Sequence, residues 1–210
     1  MSHSPDSWTI LPYGDSAFLV ELPELEAVVA YYRGLTKDGS HAGVVDVVPA
    51  ARTVLVTFDP EVVPASGIKA WLEDAQPAPA ELGTGRDVEI EVAYGGQDLA
   101  EVAGLLGLSE KEVVSLHAGS VWTAAFSGFA PGFAYLVTNH EKLRVPRRST
   151  PRTVVPAGSV GLAGEFSGIY PRSSPGGWQL IGTTDRALWD ASKPEPALIR
   201  PGDRVKFVEA

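Results

Sequence analysis

The sequence predicts an α+β domain over residues 1–80, followed by a mainly-β domain over residues 86–210. Three observations lead to this prediction. Strand-like and helix-like patterns alternate over the first 75 residues, a run rich in alanine, proline and glycine follows at 76–85, and nine glycines and six prolines fall between residues 126 and 185. Glycine and proline at that density exclude long helices, so residues 126–185 favour a compact β-barrel or sandwich with many tight turns.

Short runs of β-branched and aromatic residues predict four strands in the first domain, over residues 8–11, 17–21, 44–48 and 53–58. The sequence Pro12-Tyr13-Gly14-Asp15 is typical of a turn and predicts a hairpin between the first two strands. Apolar residues at helical spacing predict one helix after Pro23 and another over residues 66–75. Elements segregated in this way favour a small sheet with helices on one face.

The run at 76–85 is the best linker in the chain, and we place the domain boundary there. Beyond it, alternating acidic and apolar residues predict a strand over 87–92, and the residues 98–106 predict a helix. Ser109 and Glu112 have the spacing of a capping box, which opens a further helix. Near the C-terminus, alternating apolar residues after a Pro-Gly-Asp turn predict the last strand of the β domain.

The charge is unevenly distributed along the chain. The net charge of −9 opposes general nucleic-acid binding. Residues 1–115 contain 19 acidic and 6 basic residues, a net of −13, whereas residues 116–210 contain 7 and 11, a net of +4. This concentration of arginines indicates an anionic ligand or an acidic partner surface, the alternative being that each arginine merely solvates a loop. Five of them lie close together in the sequence: Arg144, Arg147, Arg148, Arg152 and Arg172.

Several classes of site are excluded by composition. The chain has no cysteine, which removes disulfides, thiolate nucleophiles and Cys-based metal centres, and it suits a cytoplasmic location. No signal peptide and no membrane span are expected, because the first residues are polar and no apolar run is long enough. The four histidines, at positions 3, 41, 117 and 140, are too scattered for a ligand set, so no metal is predicted.

Familiar nucleotide and hydrolase motifs are also absent from the sequence. No Gly-x-x-x-x-Gly-Lys-Ser/Thr loop exists. Gly83-Thr84-Gly85 lacks the third glycine and the preceding strand of a dinucleotide site. Ser127 does not lie in a Gly-x-Ser-x-Gly elbow. The sequence therefore contains no motif of its own for ATP or for a serine nucleophile.

Two loops combine glycine, proline and aromatic residues. In the segment 128–136, glycines that allow close backbone approach alternate with large rings, and exposed amide groups there would bind an anion. The alternative is a rigid corner that packs rings into the core, which we favour for Phe129 and Phe133. The second loop, 173–178, ends in Trp178, which either caps a core or stacks on a planar ligand.

These segments resemble the allophanate hydrolase subunit 1 / Kip-inhibitor family (carboxyltransferase subdomains C and D), which includes the B-type subunit of bacterial ATP-dependent 5-oxoprolinase. The resemblance covers nearly the whole chain. Two positions depart from the family pattern. The family usually has Gln in the segment where this chain has Glu165, and it commonly has Arg at the position of Thr183. The motifs that carry the resemblance are residues 14–20, 53–60, His117, 128–136, 151–152, 155–160, 168–171 and 174–178.

The resemblance implies a ferredoxin-like N-terminal domain and a cyclophilin-like barrel domain. It implies a component, inactive alone, of a complex that opens the lactam of 5-oxoproline to glutamate with ATP. The implied partners are an allophanate hydrolase subunit 2-type protein (the C-type subunit of 5-oxoprolinase) and the A-type subunit, and ATP would bind through the complex. Two alternatives stay open: a Kip-type histidine-kinase inhibitor, and a carboxyltransferase component of allophanate hydrolase or urea carboxylase type.

Three side chains receive specific roles. His117 is the group with a near-neutral pKa in a strongly patterned region, and we predict that it donates a hydrogen bond or transfers a proton at the reacting amide, the alternative being a structural histidine. Arg148 and Arg152 lie four residues apart in a proline-bounded extended segment, so both should face one side and hold a small carboxylate substrate. The remaining predicted substrate-binding residues are Gly128, Pro131, Gly132, Tyr135, Tyr170, Ser174, Gly176, Gly177 and Trp178.

Overall fold

The computed structural model describes residues 8–39, 41–79 and 85–210. They divide into two compact units, Met1–Glu81 and Leu82–Ala210. Residues 80–84, in the middle of the predicted linker, lie outside the described residues. They include Gly83 and Thr84 of the segment Gly83-Thr84-Gly85. We describe each unit by itself.

The first unit contains a four-stranded antiparallel sheet and two helices, as the local patterns predict. The strand order is β1-β2-β4-β3, and the chain runs β2, α1, β3, β4, α2 after the β1–β2 hairpin. The elements are β1 (Thr9–Pro12), β2 (Ala17–Glu21), α1 (Leu25–Thr36), β3 (Val44–Pro49), β4 (Thr53–Phe58) and α2 (Ala65–Glu73).

One face of this sheet carries the core of the first unit. Alternate residues of the strands, such as Val20 and Val54, are fully buried and pack with Ile68 of α2 in one apolar cluster. The Tyr31 hydroxyl of α1 donates a hydrogen bond to the carbonyl of Leu72 at 2.8 Å, which ties the two helices together. The period-2 pattern thus places both helices on the same face, as predicted.

The second unit is built around a closed seven-stranded barrel, which decides between the barrel and the sandwich of the sequence analysis. The strand order is β10-β7-β6-β13-β5-β12-β9, and β9 pairs with β10 to close it. A separate two-stranded sheet contains β8 and β11. The elements are β5 (Asp87–Tyr94), α3 (Leu99–Leu106), α4 (Glu110–Gly119), β6 (Val121–Ser127), β7 (Ala134–Val137), β8 (Arg152–Val155), β9 (Ser159–Ala163), β10 (Phe166–Ile169), β11 (Ser174–Gly176), β12 (Gln179–Thr183) and β13 (Arg204–Glu209).

The capping box predicted for α4 is present. The Glu112 N–H donates to Ser109 Oγ at 3.2 Å, and the Ser109 N–H donates to Glu112 Oε2 at 2.7 Å. Helix α4 packs on β13 and carries His117 into the barrel unit. Across the described part of the chain, no helix has the length and apolar character to cross a membrane.

Candidate functional site

A buried carboxylate joins the start of α3 to two of the predicted arginines. The Asp98 side chain is 3% exposed, and its Oδ1 accepts from Arg148 Nη1 at 2.8 Å and from Arg152 Nη2 at 2.6 Å. Its other oxygen, Oδ2, accepts the backbone N–H of Leu180 at 2.7 Å. Such charge-assisted hydrogen bonds are stronger than neutral ones and offset part of the cost of removing a carboxylate from water.

Backbone hydrogen bonds bring the parts of this network together. The Asp98 N–H donates to the Leu180 carbonyl at 2.9 Å, which holds the start of α3 against β12. The Arg148 N–H donates to the Gly177 carbonyl at 2.8 Å, so the segment before β8 runs beside the loop 174–178. The arginines therefore reach Asp98 from a backbone that is fixed on both sides.

The rim of the network contains a second acid. Glu101, 54% exposed, accepts from Arg148 Nη1 at 3.2 Å and from Gln179 Nε2 at 3.3 Å. The structure thus brings Arg148 and Arg152 together, as the sequence indicates, but on carboxylates that the chain itself supplies. A ligand at these two arginines would have to compete with Asp98.

Beside the network lies a cluster of aromatic rings. Phe133 is at its centre, with ring centroids 5.1 Å from Tyr135, 5.3 Å from Trp178 and 5.6 Å from Tyr170, all in edge-on geometry. Trp178 is 5% exposed and Phe133 is 1% exposed, so both rings are core residues rather than stacking platforms. The cluster comprises Phe126, Phe129, Phe133, Tyr135, Phe166, Tyr170 and Trp178.

Phe129 departs from the core role that we favoured for it, and that prediction is wrong. Its side chain is 57% exposed, and its φ of +67° lies in the left-handed region. Among the described residues, every other residue with a positive φ is a glycine. This conformation costs a bulky side chain roughly 1–3 kcal/mol. The tight turn imposes it, because Ala130 N–H donates to the Gly128 carbonyl at 2.7 Å and Phe133 N–H to the Ala130 carbonyl at 2.9 Å.

The charge of Arg147 affects two tyrosines of the cluster. Burial raises the pKa of both Tyr135 and Tyr170, and the nearby Arg147 guanidinium acts in the opposite direction on both. The backbone amide of Trp178 also acts to lower the pKa of Tyr170, which is a buried residue. Tyr135 is half-buried, and its hydroxyl makes no hydrogen bond within the described residues. Arg147 is exposed and forms no ion pair with any residue that the structure describes.

His117 is enclosed in the core of the barrel unit. Its side chain is fully buried, Nδ1 lies 2.8 Å from the Tyr94 hydroxyl, and Nε2 lies 2.8 Å from Ser167 Oγ. The Phe207 ring stacks on the imidazole at 4.3 Å. Burial lowers the pKa of His117 to about 3, so the ring is neutral at physiological pH. These are the surroundings of a structural histidine, and the proton-transfer role stays a prediction.

The glycines of the two loops differ in what they require. An added Cβ at Gly132, where φ is +85°, would lie 2.9 Å from the carbonyl oxygen of Leu188, and at Gly176 it would lie 2.2 Å from the Tyr170 hydroxyl. At Gly177 the nearest atom would be 3.7 Å away, an ordinary contact. The first two glycines are therefore needed for close packing, and Gly177 is not.

The other predicted loop residues lie around the same surface. Gly128 precedes the strained Phe129, and Pro131 is exposed at the tip of the turn. The Ser174 hydroxyl donates to the carbonyl of Arg172 at 3.0 Å. Among the described residues, no group of three or more His, Asp or Glu side chains is arranged to hold a metal ion.

Comparison with known proteins identifies the family. The model of the carboxyltransferase domain, subdomain C and D, matches residues 8–199. The chain belongs to this family. The B-type subunit of 5-oxoprolinase from Escherichia coli O157:H7 is 45% identical over 172 residues, which are 79% of this chain and 78% of that protein.

Solved structures of relatives agree with the fold. The crystal structure of TTHA0988 matches 92% of this chain with 39% identity and a TM-score of 0.75, and this chain spans 40% of that longer one. The urea amidolyase of Kluyveromyces lactis matches 97% of this chain, which is 15% of that chain, with a TM-score of 0.77. At 19% identity, the urea amidolyase match concerns the fold alone.

Within this carboxyltransferase family fold, sequence reasoning missed two residues of the candidate site. Asp98 stands immediately before an apolar helix, where an acid is expected merely to cap the helix, yet its carboxylate makes no capping hydrogen bond to the described residues of α3. Arg147 is one of five clustered arginines, and nothing in the sequence separates it from its neighbours. The two positions that depart from the family pattern, Glu165 and Thr183, are both exposed.

Proposed function

We propose that this chain is the B-type subunit of a cytoplasmic, ATP-dependent 5-oxoprolinase, which opens the lactam of 5-oxoproline to give glutamate. The observation that carries the proposal is the 45% identity to the B-type subunit of the E. coli 5-oxoprolinase over most of both chains. The chain would act with subunits of type C and type A, and it would be inactive alone. Its contribution would be part of the surface that receives the substrate.

The architecture supports two finer assignments. A strand–helix–strand–strand–helix series with β1 beside β2 fits a ferredoxin-like domain in which β1 takes the edge position of the final strand. The closed barrel of the second unit fits a cyclophilin-like domain. We propose both as the fold assignments of the two predicted domains, 1–80 and 86–210.

The surface around the loops 128–133 and 174–178 suits a small carboxylate with a flat ring. It combines the exposed guanidinium of Arg147, the half-buried Tyr135 and the exposed ring of Phe129. A site that hydrogen-bonds a carboxylate and packs against a ring discriminates well against analogues that lack either. We propose that this surface receives 5-oxoproline, and that His117 supports the barrel beneath it rather than contacting the substrate.

We assign ATP to another protein of the complex. When bound, ATP would supply the free energy for opening the lactam. This chain has no phosphate-binding loop in its sequence, and two of its clustered arginines are already paired with Asp98. The residues present here therefore fit a carboxylate better than a triphosphate.

The test is reconstitution from purified proteins. The chain is combined with its type C and type A partners, and glutamate formation from 5-oxoproline is measured with and without ATP. Turnover should require ATP and all three chains. Glutamate formation by the partners without this chain would contradict the proposal.

A carboxyltransferase role is the second candidate, favoured by the fold shared with a urea amidolyase. It predicts that the complex consumes carboxylated biotin or a carboxylated urea in place of 5-oxoproline. Measuring both activities with the same reconstituted complex distinguishes the two candidates. Turnover of only the carboxylated substrate would replace the first proposal by the second.

A further inference from the structure

The arginine that is free to bind a ligand differs from the two that the sequence singles out. Arg148 and Arg152 share Oδ1 of the buried Asp98 at 2.8 and 2.6 Å. Displacing that carboxylate would leave it buried without its partners, which is costly. The neighbouring Arg147, in contrast, is exposed and makes no ion pair with a described residue.

The backbone holds Arg147 in one place. Two residues before it, Val145 exchanges both backbone hydrogen bonds with Gly164, at 3.1 and 2.7 Å. One residue after it, the Arg148 N–H donates to the Gly177 carbonyl at 2.8 Å. A side chain on a backbone fixed from both sides loses less entropy when it binds than one on a loose loop.

Two further groups converge on the same place. The Tyr135 ring lies 5.7 Å from that of Trp178, which follows Gly177, and the Gly177 carbonyl accepts the backbone N–H of Arg148. The Tyr135 hydroxyl has no hydrogen-bond partner among the described residues. The ring of Phe129 lies 5.9 Å from that of Tyr170 and exposes more than half of its surface. Strained, exposed residues of this kind are concentrated at ligand sites.

We propose that Arg147, Tyr135 and Phe129 form the binding site for the carboxylate and ring of the substrate, a small cyclic amide that carries a carboxylate. Arg147 pairs with the carboxylate, the Tyr135 hydroxyl donates to it, and the ring packs against Phe129. Asp98 is a positioning residue, because it holds Arg148 and Arg152 as a rigid support beside this site. The inference rests on the proposed function for the identity of the substrate.

The experiment compares Arg147→Ala with Arg172→Ala in the reconstituted complex. Arg172 is the matched control, since it is also an exposed arginine of the basic half and makes no side-chain ion pair with a described residue. Loss of a charge-assisted pair should raise the KM for 5-oxoproline about 10- to 100-fold in Arg147→Ala, with a much smaller change in kcat. Arg172→Ala should keep the KM within about 2-fold of the wild type.

A conservative variant separates charge from geometry. Arg147→Lys keeps the charge but loses the planar fork, so its KM should lie between those of the wild type and Arg147→Ala. An unchanged KM in Arg147→Ala overturns the inference while leaving the proposed function intact. The inference is also overturned if Arg147→Ala assembles poorly with the partners while the fraction that does assemble keeps the wild-type KM. That result would assign Arg147 to an interface with a partner protein.

Direct binding separates the inference from the proposed function. If the wild-type complex makes no glutamate, the proposed function fails, and calorimetric titration with 5-oxoproline then decides the inference. Binding that is at least about 10-fold weaker in Arg147→Ala than in Arg172→Ala supports the site. Equal binding, or no binding by the wild type, overturns it.

Discussion

Replacing Asp98 by asparagine removes one negative charge from the centre of the arginine network without changing the shape of the side chain. In the wild type this carboxylate is 3% exposed and accepts three hydrogen bonds of 2.6 to 2.8 Å, two of them from guanidinium groups. The asparagine would leave Arg152 without an anion and Arg148 with only the exposed Glu101, and it would place an amide N–H against the Leu180 N–H or against an arginine.

Breaking a buried pair in this way costs roughly 3–5 kcal/mol. Because Arg148 and Arg152 are 28% and 18% exposed, water recovers part of that loss, and the lower end, about 3 kcal/mol, is expected. For a unit of this size, such a loss corresponds to a fall in Tm of about 10 °C. Thermal unfolding followed by tryptophan fluorescence measures it, since Trp178 lies beside the network.

The matched control is Glu101→Gln. Glu101 shares Arg148 with Asp98 but is 54% exposed, so its loss should cost less than about 1 kcal/mol. A Tm for Asp98→Asn within about 2 °C of that of Glu101→Gln would refute the reasoning, because buried and exposed carboxylates would then contribute equally.

Three further predictions test other parts of the structure. Gly168→Ala should lower the free energy of unfolding by about 1–3 kcal/mol, because the added methyl would lie 2.9 Å from the Phe133 ring. Gly177→Ala, where the nearest atom would lie 3.7 Å away, should keep the wild-type urea midpoint. Equal urea midpoints for the two variants would contradict the packing argument. His117→Gln should remove a pH dependence of stability, since burial lowers the pKa of this imidazole from 6.5 to about 3. Between these values the unfolded chain binds the proton and the folded chain does not, so the wild type is most stable above about pH 6.5 and should lose about 1.4 kcal/mol per unit more than the variant as the pH falls from there towards 4. Urea titrations across this range measure the difference, and parallel slopes would show that another group carries the effect. Tyr135→Phe should raise the KM for 5-oxoproline about 3- to 10-fold at an unchanged Tm, because the lost hydroxyl has no partner within the described residues; an unchanged KM would remove Tyr135 from the site.

Local rules are sufficient for most of the secondary structure. The four strands and two helices of the first unit follow from periodicity within a few residues, and Ser109 with Glu112 marks the start of α4. Each of these features depends on neighbours along the chain, so the sequence contains the whole interaction. The same holds for the glycine and proline spacing that excludes long helices after residue 126.

The candidate site depends on contacts between residues far apart in the chain. Asp98 and Arg152 are separated by 54 positions, and His117 and Ser167 by 50. Barrel closure decides these neighbours, because the pairing of β12 with β9 and of the segment before β8 with the 174–178 loop brings the partners within hydrogen-bond distance.

The sequence by itself determined the elements, the β-rich nature of the second unit and the presence of arginines and rings in two glycine-containing loops. Only the tertiary structure decided which arginines are already paired, that His117 is buried, and that Phe129 faces solvent. The physical reason is that burial and ion pairing are properties of the closed barrel. A charged or aromatic side chain has the same local pattern whether its partner is a distant carboxylate, a packed ring or water.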